Sequence, residues 1–108
     1  MKNEELIGKM IEKAERIEKY CSGVSYEVFE EDTKLVEACV FNLSQIGEYA
    51  SRIEKNYQEM HSDIPWSQLR GLRNRIVHDY DGVNLLLVWE IIREDMPGLR
   101  QSLLRMFP

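Results

Sequence analysis

The stretch from Leu35 to Tyr57, LVEACVFNLSQIGEYASRIEKNY, carries the clearest structural signal in the chain. Its apolar side chains return at steps of three and four residues, which is the period of one face of a helix. The period is kept for more than six turns, so it predicts a long amphipathic helix with one buried face. The residues on that face are Leu35, Val36, Cys39, Leu43, Ile46, Ala50, Ile53 and Tyr57.

The residues on the N-terminal side of this stretch predict a second helix of the same kind. Apolar side chains from Leu6 to Cys21 follow the same spacing, and Gly23 then supplies a helix stop. Ser25 suits the N-cap of a short helical segment before the long helix.

On the C-terminal side, the pattern predicts a motif-bearing helix and a final helical track. Pro65 marks the start of the motif-bearing helix, because proline is favoured at the first position of a helix. Asp81-Gly82 predicts a turn, and Pro97 must kink or divide the track from Leu85 to Met106. The apolar stripe of the motif-bearing helix consists of Trp66, Leu69, Leu72 and Ile76.

Because no segment alternates as a strand does, the sequence predicts an all-α fold, an antiparallel bundle of four to five helices. Its 108 residues suffice for one hydrophobic core, so we expect a single domain over residues 1–108. No apolar run approaches the ~20 residues of a membrane span, and the acidic N-terminus MKNEELIGKM is unlike a targeting peptide. We therefore expect a cytoplasmic protein.

Two cysteines and an uneven charge distribution bear on the class of function. Cys21 and Cys39 lack metal-ligand spacing, so we read them as small hydrophobic residues and expect no metal or other cofactor.

The net charge is -5, but residues 61–108 carry six basic and six acidic side chains, and every basic one is arginine. Arginine holds phosphate with two parallel hydrogen bonds. Six surface arginines on ordinary helices remain the alternative explanation.

The segment Arg73 to Tyr80, RNRIVHDY, concentrates the side chains that could carry chemistry. On a regular helix, Arg70, Asn74 and His78 would share the polar face one turn apart. Asn74 could then orient the imidazole of His78, if the helix extends that far. Arg73 and His78, five residues apart, would stand about 140° apart and flank a groove.

Each of these residues also has an ordinary structural explanation. A histidine at a helix C-terminus often serves as a partner of the helix dipole. Arg73 could pack its stem along the core margin. Trp66 and Trp89 suit core anchors better than platforms for stacking bases.

The small residues Ser67 and Gly71 interrupt the polar face and would permit close approach of a second helix. We also expect Val77 to leave an apolar spot exposed in a monomer. Together these features predict a twofold homodimer that brings two copies of the His78 site together.

The segment Arg73 to Tyr80 resembles the R-x4-H-x-Y signature of HepT-like toxins in the HEPN superfamily of helical ribonucleases. Flanking segments resemble the family in the same order, and Tyr49 is a departure where a smaller residue is commoner. These flanking segments are Asn42 to Ala50, Ile64 to Trp66, Val88 to Ile92 and Asp95 to Pro97.

The resemblance implies a HEPN-like helical bundle that acts as a homodimeric, metal-independent endoribonuclease toxin. It implies that Arg73 binds the scissile phosphate of RNA and that His78 transfers a proton. Asn74 would support His78 or contact phosphate, and we expect Arg70 and Arg75 to extend RNA binding along the backbone.

The resemblance also implies a partner, a nucleotidyltransferase antitoxin of the MNT type, which transfers AMP from ATP to the tyrosine of the motif. In this chain that residue is Tyr80. The alternative is a non-catalytic helical protein that keeps the motif and only binds such a transferase.

Overall fold

The protein, described as a computed structural model, is an all-α bundle, as the sequence predicts. The structure describes residues 1–78 and 82–107, without the side chain of His78. The helices are α1 (Asn3–Cys21), α2 (Tyr26–Glu31), α3 (Thr33–Arg52), α4 (Lys55–Met60), α5 (Trp66–Arg70), α6 (Leu72–Ile76), α7 (Leu85–Glu90) and α8 (Met96–Leu104). A π-helical segment, Ile91–Asp95, joins α7 to α8, and two short strands, β1 (Val77–His78) and β2 (Gly82–Val83), follow α6.

Helices α1 and α3 are the antiparallel centre of the bundle. The start of α1 meets the end of α3, where the Glu54 backbone N–H donates to Asn3 Oδ1 at 3.2 Å. Towards the other end of α1, the free thiols of Cys21 and Cys39 lie 3.6 Å apart, both buried. The two cysteines therefore pack as small core residues, as predicted.

The predicted apolar faces form the core. On α1 all seven predicted apolar positions from Leu6 to Cys21 are buried. Ser25 caps α2 by accepting from the Val28 backbone N–H at 3.2 Å. Further core residues come from every other helix except α4 and from the π-helical segment, with large contributions from α3, the motif-bearing segment and α8. The buried side chains of these three parts include Val36, Leu43, Ile46, Ala50, Trp66, Leu69, Leu72, Ile76, Met96, Leu99 and Leu103.

The prediction of one helix from Leu35 to Tyr57 is wrong at its C-terminal end. Helix α3 ends at Arg52, and Ile53 is extended. The side-chain amide of Gln58 donates to the Ile53 carbonyl at 2.9 Å and to the Ala50 carbonyl at 3.4 Å. The Ala50 carbonyl also accepts from the Ile53 backbone N–H at 3.3 Å, so Gln58 adds a second donor there and provides one for the Ile53 carbonyl. These bonds stabilise the helix end, and Tyr57 belongs to the separate helix α4.

The motif-bearing helix is also shorter than predicted. It bends at Gly71, which separates α5 from α6. The Gly71 backbone N–H still donates to the Ser67 carbonyl at 3.2 Å, and the Arg75 N–H donates to the Gly71 carbonyl at 3.0 Å. The break is therefore a local bend, and Ser67 and Arg75 remain on nearly continuous helical turns.

Helix α6 ends at Ile76, and an antiparallel pair of two-residue strands replaces the expected last turn. Val77 pairs with Val83 and His78 with Gly82, whose φ of 80° favours glycine. The Asn84 N–H closes this hairpin by donating to the Ile76 carbonyl at 2.8 Å. Strands of two residues are too short to show alternation in the sequence, which explains why the pattern did not predict them.

Pro97 divides the last helical track, as predicted. Proline has no N–H and its ring clashes with the carbonyl four residues earlier. The chain accommodates this with a wider turn, in which the Met96 N–H donates to the Ile91 carbonyl five residues back. Within the described residues, no helix combines the length and the apolar character needed to cross a bilayer.

Two of the six C-terminal arginines hold the bundle together. Arg93 donates to the Cys21 carbonyl at 3.2 Å and to the Val24 carbonyl, and its guanidinium lies 4.4 Å from the Trp89 ring centre. Arg100 Nε contacts both carboxylate oxygens of Glu18, at 3.0 and 3.1 Å. At these two positions the alternative explanation, ordinary arginines on helix surfaces, therefore holds.

Candidate functional site

A groove lies between α3 and the bent α5–α6 segment. It has a volume of about 190 Å³. One wall carries Arg70, Arg73 and Asn74 from the motif, and the other carries small or acidic side chains of α3. The residues of this second wall are Ser44, Gly47, Glu48 and Ser51.

Gly47 sets the width of the groove. A Cβ at this position would lie 2.6 Å from the Leu69 carbonyl oxygen and 3.7 Å from the Leu72 Cβ. The backbone of α5 can approach α3 this closely only because residue 47 has no side chain. The glycine thus brings the arginines of the motif against α3.

We expect Gly47→Ala to lower the free energy of unfolding by about 1–3 kcal/mol, because the new Cβ forces two backbones apart. Urea denaturation measures this change. Gly8→Ala on α1 is the matched control, since a Cβ there has no atom within 4 Å. It should raise stability by about 0.5–1 kcal/mol through helix propensity. Equal effects of the two substitutions would contradict the role given to Gly47.

The two arginines of the groove are in different surroundings. Arg70 Nη1 donates to Gln58 Oε1 at 2.6 Å, which ties α5 to α4. Arg73 is exposed, as is Asn74 beside it. Across the groove, Glu48 pairs with Arg52 at 3.0 Å, so its negative charge is partly compensated. The groove therefore presents guanidinium groups and an amide to an incoming anion.

The prediction that Asn74 and His78 lie one turn apart on the same face of a helix is wrong. That geometry, and the 140° separation of Arg73 from His78, required a helix through residue 78, but α6 ends at Ile76. The backbone of His78 lies in β1, directly after the wall that carries Arg73. The side chain of His78 and the whole of Tyr80 lie outside the described residues.

Arg75 lies apart from the groove. It lines a separate cavity of about 430 Å³ with Asp63, Asp95 and Arg105, on the side of α6 that faces the π-helical segment and α8. Ser67 lines another cavity beside α4. The structure therefore joins Arg70 with Arg73 and Asn74, and it does not bring Arg75 to them.

Val77 does not supply the exposed apolar spot expected from the sequence. It is partly buried and packs against the core, because β1 turns it inward beside Val83. Trp66 is buried and its Nε1 donates to the His61 carbonyl at 3.0 Å, and Trp89 packs on Phe29. Both tryptophans are core anchors.

The wall formed by α3 was missed as part of the site at the sequence level. The segment NLSQIGEYAS contains small residues at positions 44, 47 and 51, which share one helical stripe. Small residues on one stripe indicate close approach of another element, and this signal points to the partner wall of the groove.

Comparison with known proteins confirms the resemblance to the HepT-like family. A model of the family described as "Ribonuclease HepT-like" matches residues 10–106. "Putative RNase TTE0752" of Caldanaerobacter subterraneus subsp. tengcongensis is 38% identical over 80 residues, which cover 74% of this chain and 71% of the relative. "Probable ribonuclease HepT" of Thermococcus cleftensis is 32% identical, with 82% and 81% covered.

A third relative, "Putative RNase MJ1380" of Methanocaldococcus jannaschii, is 28% identical over 86% of this chain and 85% of its own length. No solved structure matches this chain significantly. The family match spans nearly the whole chain, and two of these relatives exceed 30% identity over more than two thirds of it. The chain therefore belongs to the HepT-like ribonuclease family.

Proposed function

We propose that this protein is a metal-independent endoribonuclease that acts as the toxin of a toxin–antitoxin pair. The observation that carries the proposal is the groove, which is lined by Arg70, Arg73 and Asn74. His78 follows in β1, the element next along the chain. Family membership supports RNA as the substrate. We place the protein in the cytoplasm, where such a substrate is available.

The chemistry requires few groups because RNA carries its own nucleophile, the 2′-hydroxyl. In the proposed step His78 accepts the 2′-hydroxyl proton, the 2′-oxygen attacks phosphorus, and the bond to the 5′-oxygen breaks. The leaving 5′-oxygen takes up a proton, and His78 returns to its neutral form by releasing the one that it accepted. The products are a 2′,3′-cyclic phosphate and a 5′-hydroxyl. Arg73 stabilises the charge that develops on the phosphate oxygens. With an ordinary pKa of about 6.5, histidine is suited to this proton transfer at neutral pH.

The remaining motif residues have supporting roles. Asn74 lies beside Arg73 in the groove and contacts the phosphate or the histidine. Arg70 extends the cationic surface towards α4, and Arg75 contacts a more distant part of the RNA from its own side of α6. Contacts of this kind act mainly through the phosphate backbone and weaken as the salt concentration rises.

The proposed antitoxin is a nucleotidyltransferase that attaches AMP to Tyr80. The rival explanation is a non-catalytic protein that only binds such a transferase. A cleavage assay with the purified protein and single-stranded RNA separates the two. Our proposal requires cleavage by the protein alone, whereas the rival requires intact RNA together with a stable complex with the transferase.

We further propose that the protein works as a homodimer through the surface formed by Ser67, Gly71, Asn74 and His78. In the described part of this surface, Ser67 and Asn74 are exposed and Gly71 is half-buried. A Cβ at Gly71 would meet the Ser67 and Gln68 carbonyls at 3.7 and 3.8 Å, which is ordinary contact. The monomer thus has room for a side chain that a close subunit interface would reject.

We expect Gly71→Trp to weaken self-association and RNA cleavage together, each by about tenfold or more, because an overpacked interface commonly loses 1–3 kcal/mol. Sedimentation velocity and the cleavage assay measure the two effects. Gly71→Ala is the control and should retain both properties. A wild-type protein that is monomeric at its working concentration and fully active would rule out the dimer.

A further inference from the structure

Phe41 is the most exposed aromatic side chain in the described part of the chain, with 58% of its surface accessible. Tyr20 and Phe107 follow at 41% and 37%, and the other described aromatic rings are at least partly buried. An exposed benzyl ring contributes little to folding. Its position relative to the groove therefore bears on whether the ring has a role in binding.

Phe41 lies on the same stripe of α3 as the wall of the groove. Phe41, Ser44, Glu48 and Ser51 follow one another at steps of three, four and three residues, so their side chains project from one side of the helix. Three of these four residues line the groove. Phe41 lies about 4.5 Å beyond Ser44 along the helix axis, at a rise of about 1.5 Å per residue.

Phe41 and the contact with α4 lie at opposite ends of the α3 wall. Arg70 is held near the C-terminal end of α3 by Gln58, which itself bonds to the Ala50 carbonyl. Leu72, two residues after Arg70, lies against Gly47, which precedes Ala50 by three residues, and α6 contacts α3 before β1 begins. We infer that α6 runs towards the N-terminal half of α3.

From this arrangement we propose that Phe41 is a base-stacking platform, on which a nucleotide next to the scissile phosphate places its base. The inference rests on the proposed ribonuclease function and adds a binding site on α3. Aromatic rings stack bases of single-stranded RNA without strong sequence preference, because every base has a π face. The phosphate then occupies the arginine wall while the neighbouring base covers the ring.

The surroundings of Phe41 favour a nucleobase over a protein surface. Its neighbours one turn away on α3 are Glu37, Ala38, Ser44 and Gln45, so no other large apolar side chain adjoins the ring on this face of its own helix. A stable protein interface buries about 800 Å² on each partner around an apolar centre. One ring beside a cationic groove has the size and chemistry for a single base.

RNA binding by a cleavage-deficient protein tests this proposal. In a His78→Ala background, the dissociation constant for a fluorescent single-stranded oligoribonucleotide is measured by anisotropy. Adding Phe41→Ala should raise the constant about 5- to 150-fold, the range for loss of one stacked base. Phe41→Tyr should restore binding. Tyr20→Ala, which removes an exposed ring from α1, should have no effect.

A second measurement identifies the stacked base. A 2-aminopurine is moved along the oligonucleotide, and its fluorescence should be quenched at one position with Phe41 or Phe41→Tyr but not with Phe41→Ala. Unchanged binding of Phe41→Ala, or a loss of self-association in sedimentation that accompanies weaker binding, would overturn the stacking role. If the wild-type protein neither binds nor cleaves RNA, the proposed function fails, and the stacking site with it.

Discussion

Substituting His78 or Arg73 with alanine should abolish RNA cleavage while the bundle stays folded. General acid–base catalysis by a positioned side chain contributes about 10²–10⁴ in rate, so His78→Ala should lose at least that much. Arg73→Ala removes the cation opposite the developing phosphate charge, and removal of one such group commonly costs about 10²–10³. The side chain of Arg73 is exposed, so its removal leaves the core unchanged.

The chain offers a matched control for each substitution. His61 is the second of only two histidines, and it packs beside Tyr57 with ring centres 4.7 Å apart, away from the groove. Arg16 lies on α1, where its side chain pairs with Glu12 at 3.0 Å, and it does not line the groove. His61→Ala and Arg16→Ala should cleave RNA at near wild-type rates, with thermal unfolding followed by circular dichroism for all four variants. Cleavage retained by folded His78→Ala would remove the histidine from the mechanism.

Attachment of AMP to Tyr80 should silence the nuclease. In the proposed transfer the phenolic oxygen of Tyr80 bonds to the α-phosphorus of ATP, pyrophosphate leaves, and the phenolic proton is released. The added phosphodiester is negative and bulky, and Tyr80 follows His78 by only two residues in the sequence. We therefore expect it to compete with RNA for the groove and to lower cleavage by about two orders of magnitude or more.

Co-expression with the transferase followed by intact-mass analysis checks this expectation. The wild type should gain mass in steps of one AMP, and Tyr80→Phe should gain none, continue to cleave RNA and escape neutralisation. Tyr20→Phe is the control, because Tyr20 is an exposed tyrosine on α1 that should not affect modification. A wild type that is neutralised without any gain in mass would show inhibition by binding alone.

The hydrophobic period was sufficient to predict the helices, since burial of one face dominates their stability. It did not predict where they end. Helix α3 ends at Arg52, where the side chain of Gln58, on the next helix, stabilises the break by donating to the carbonyls of Ala50 and Ile53. An interaction of this kind depends on tertiary structure, and no local pattern contains it.

The candidate site was predicted unevenly for a similar reason. The motif identified Arg73 and His78, and the groove places Arg70 and Asn74 with Arg73. The predicted helical geometry failed because Asn84, six residues beyond His78, bonds to the Ile76 carbonyl and helps replace the last helical turn with a hairpin. The opposite wall depends on the close approach at Gly47, which becomes visible only when α3 and α5 are packed together.

The central claim is that Arg73 and His78 cleave RNA without a metal ion, and the products of cleavage test it most directly. Purified wild-type protein is incubated with single-stranded RNA in excess chelator, and the ends of the fragments are identified by mass spectrometry. We predict undiminished cleavage that leaves 2′,3′-cyclic phosphate and 5′-hydroxyl ends, and no cleavage by His78→Ala. Cleavage that disappears in chelator, returns with magnesium and leaves 3′-hydroxyl and 5′-phosphate ends would contradict the account.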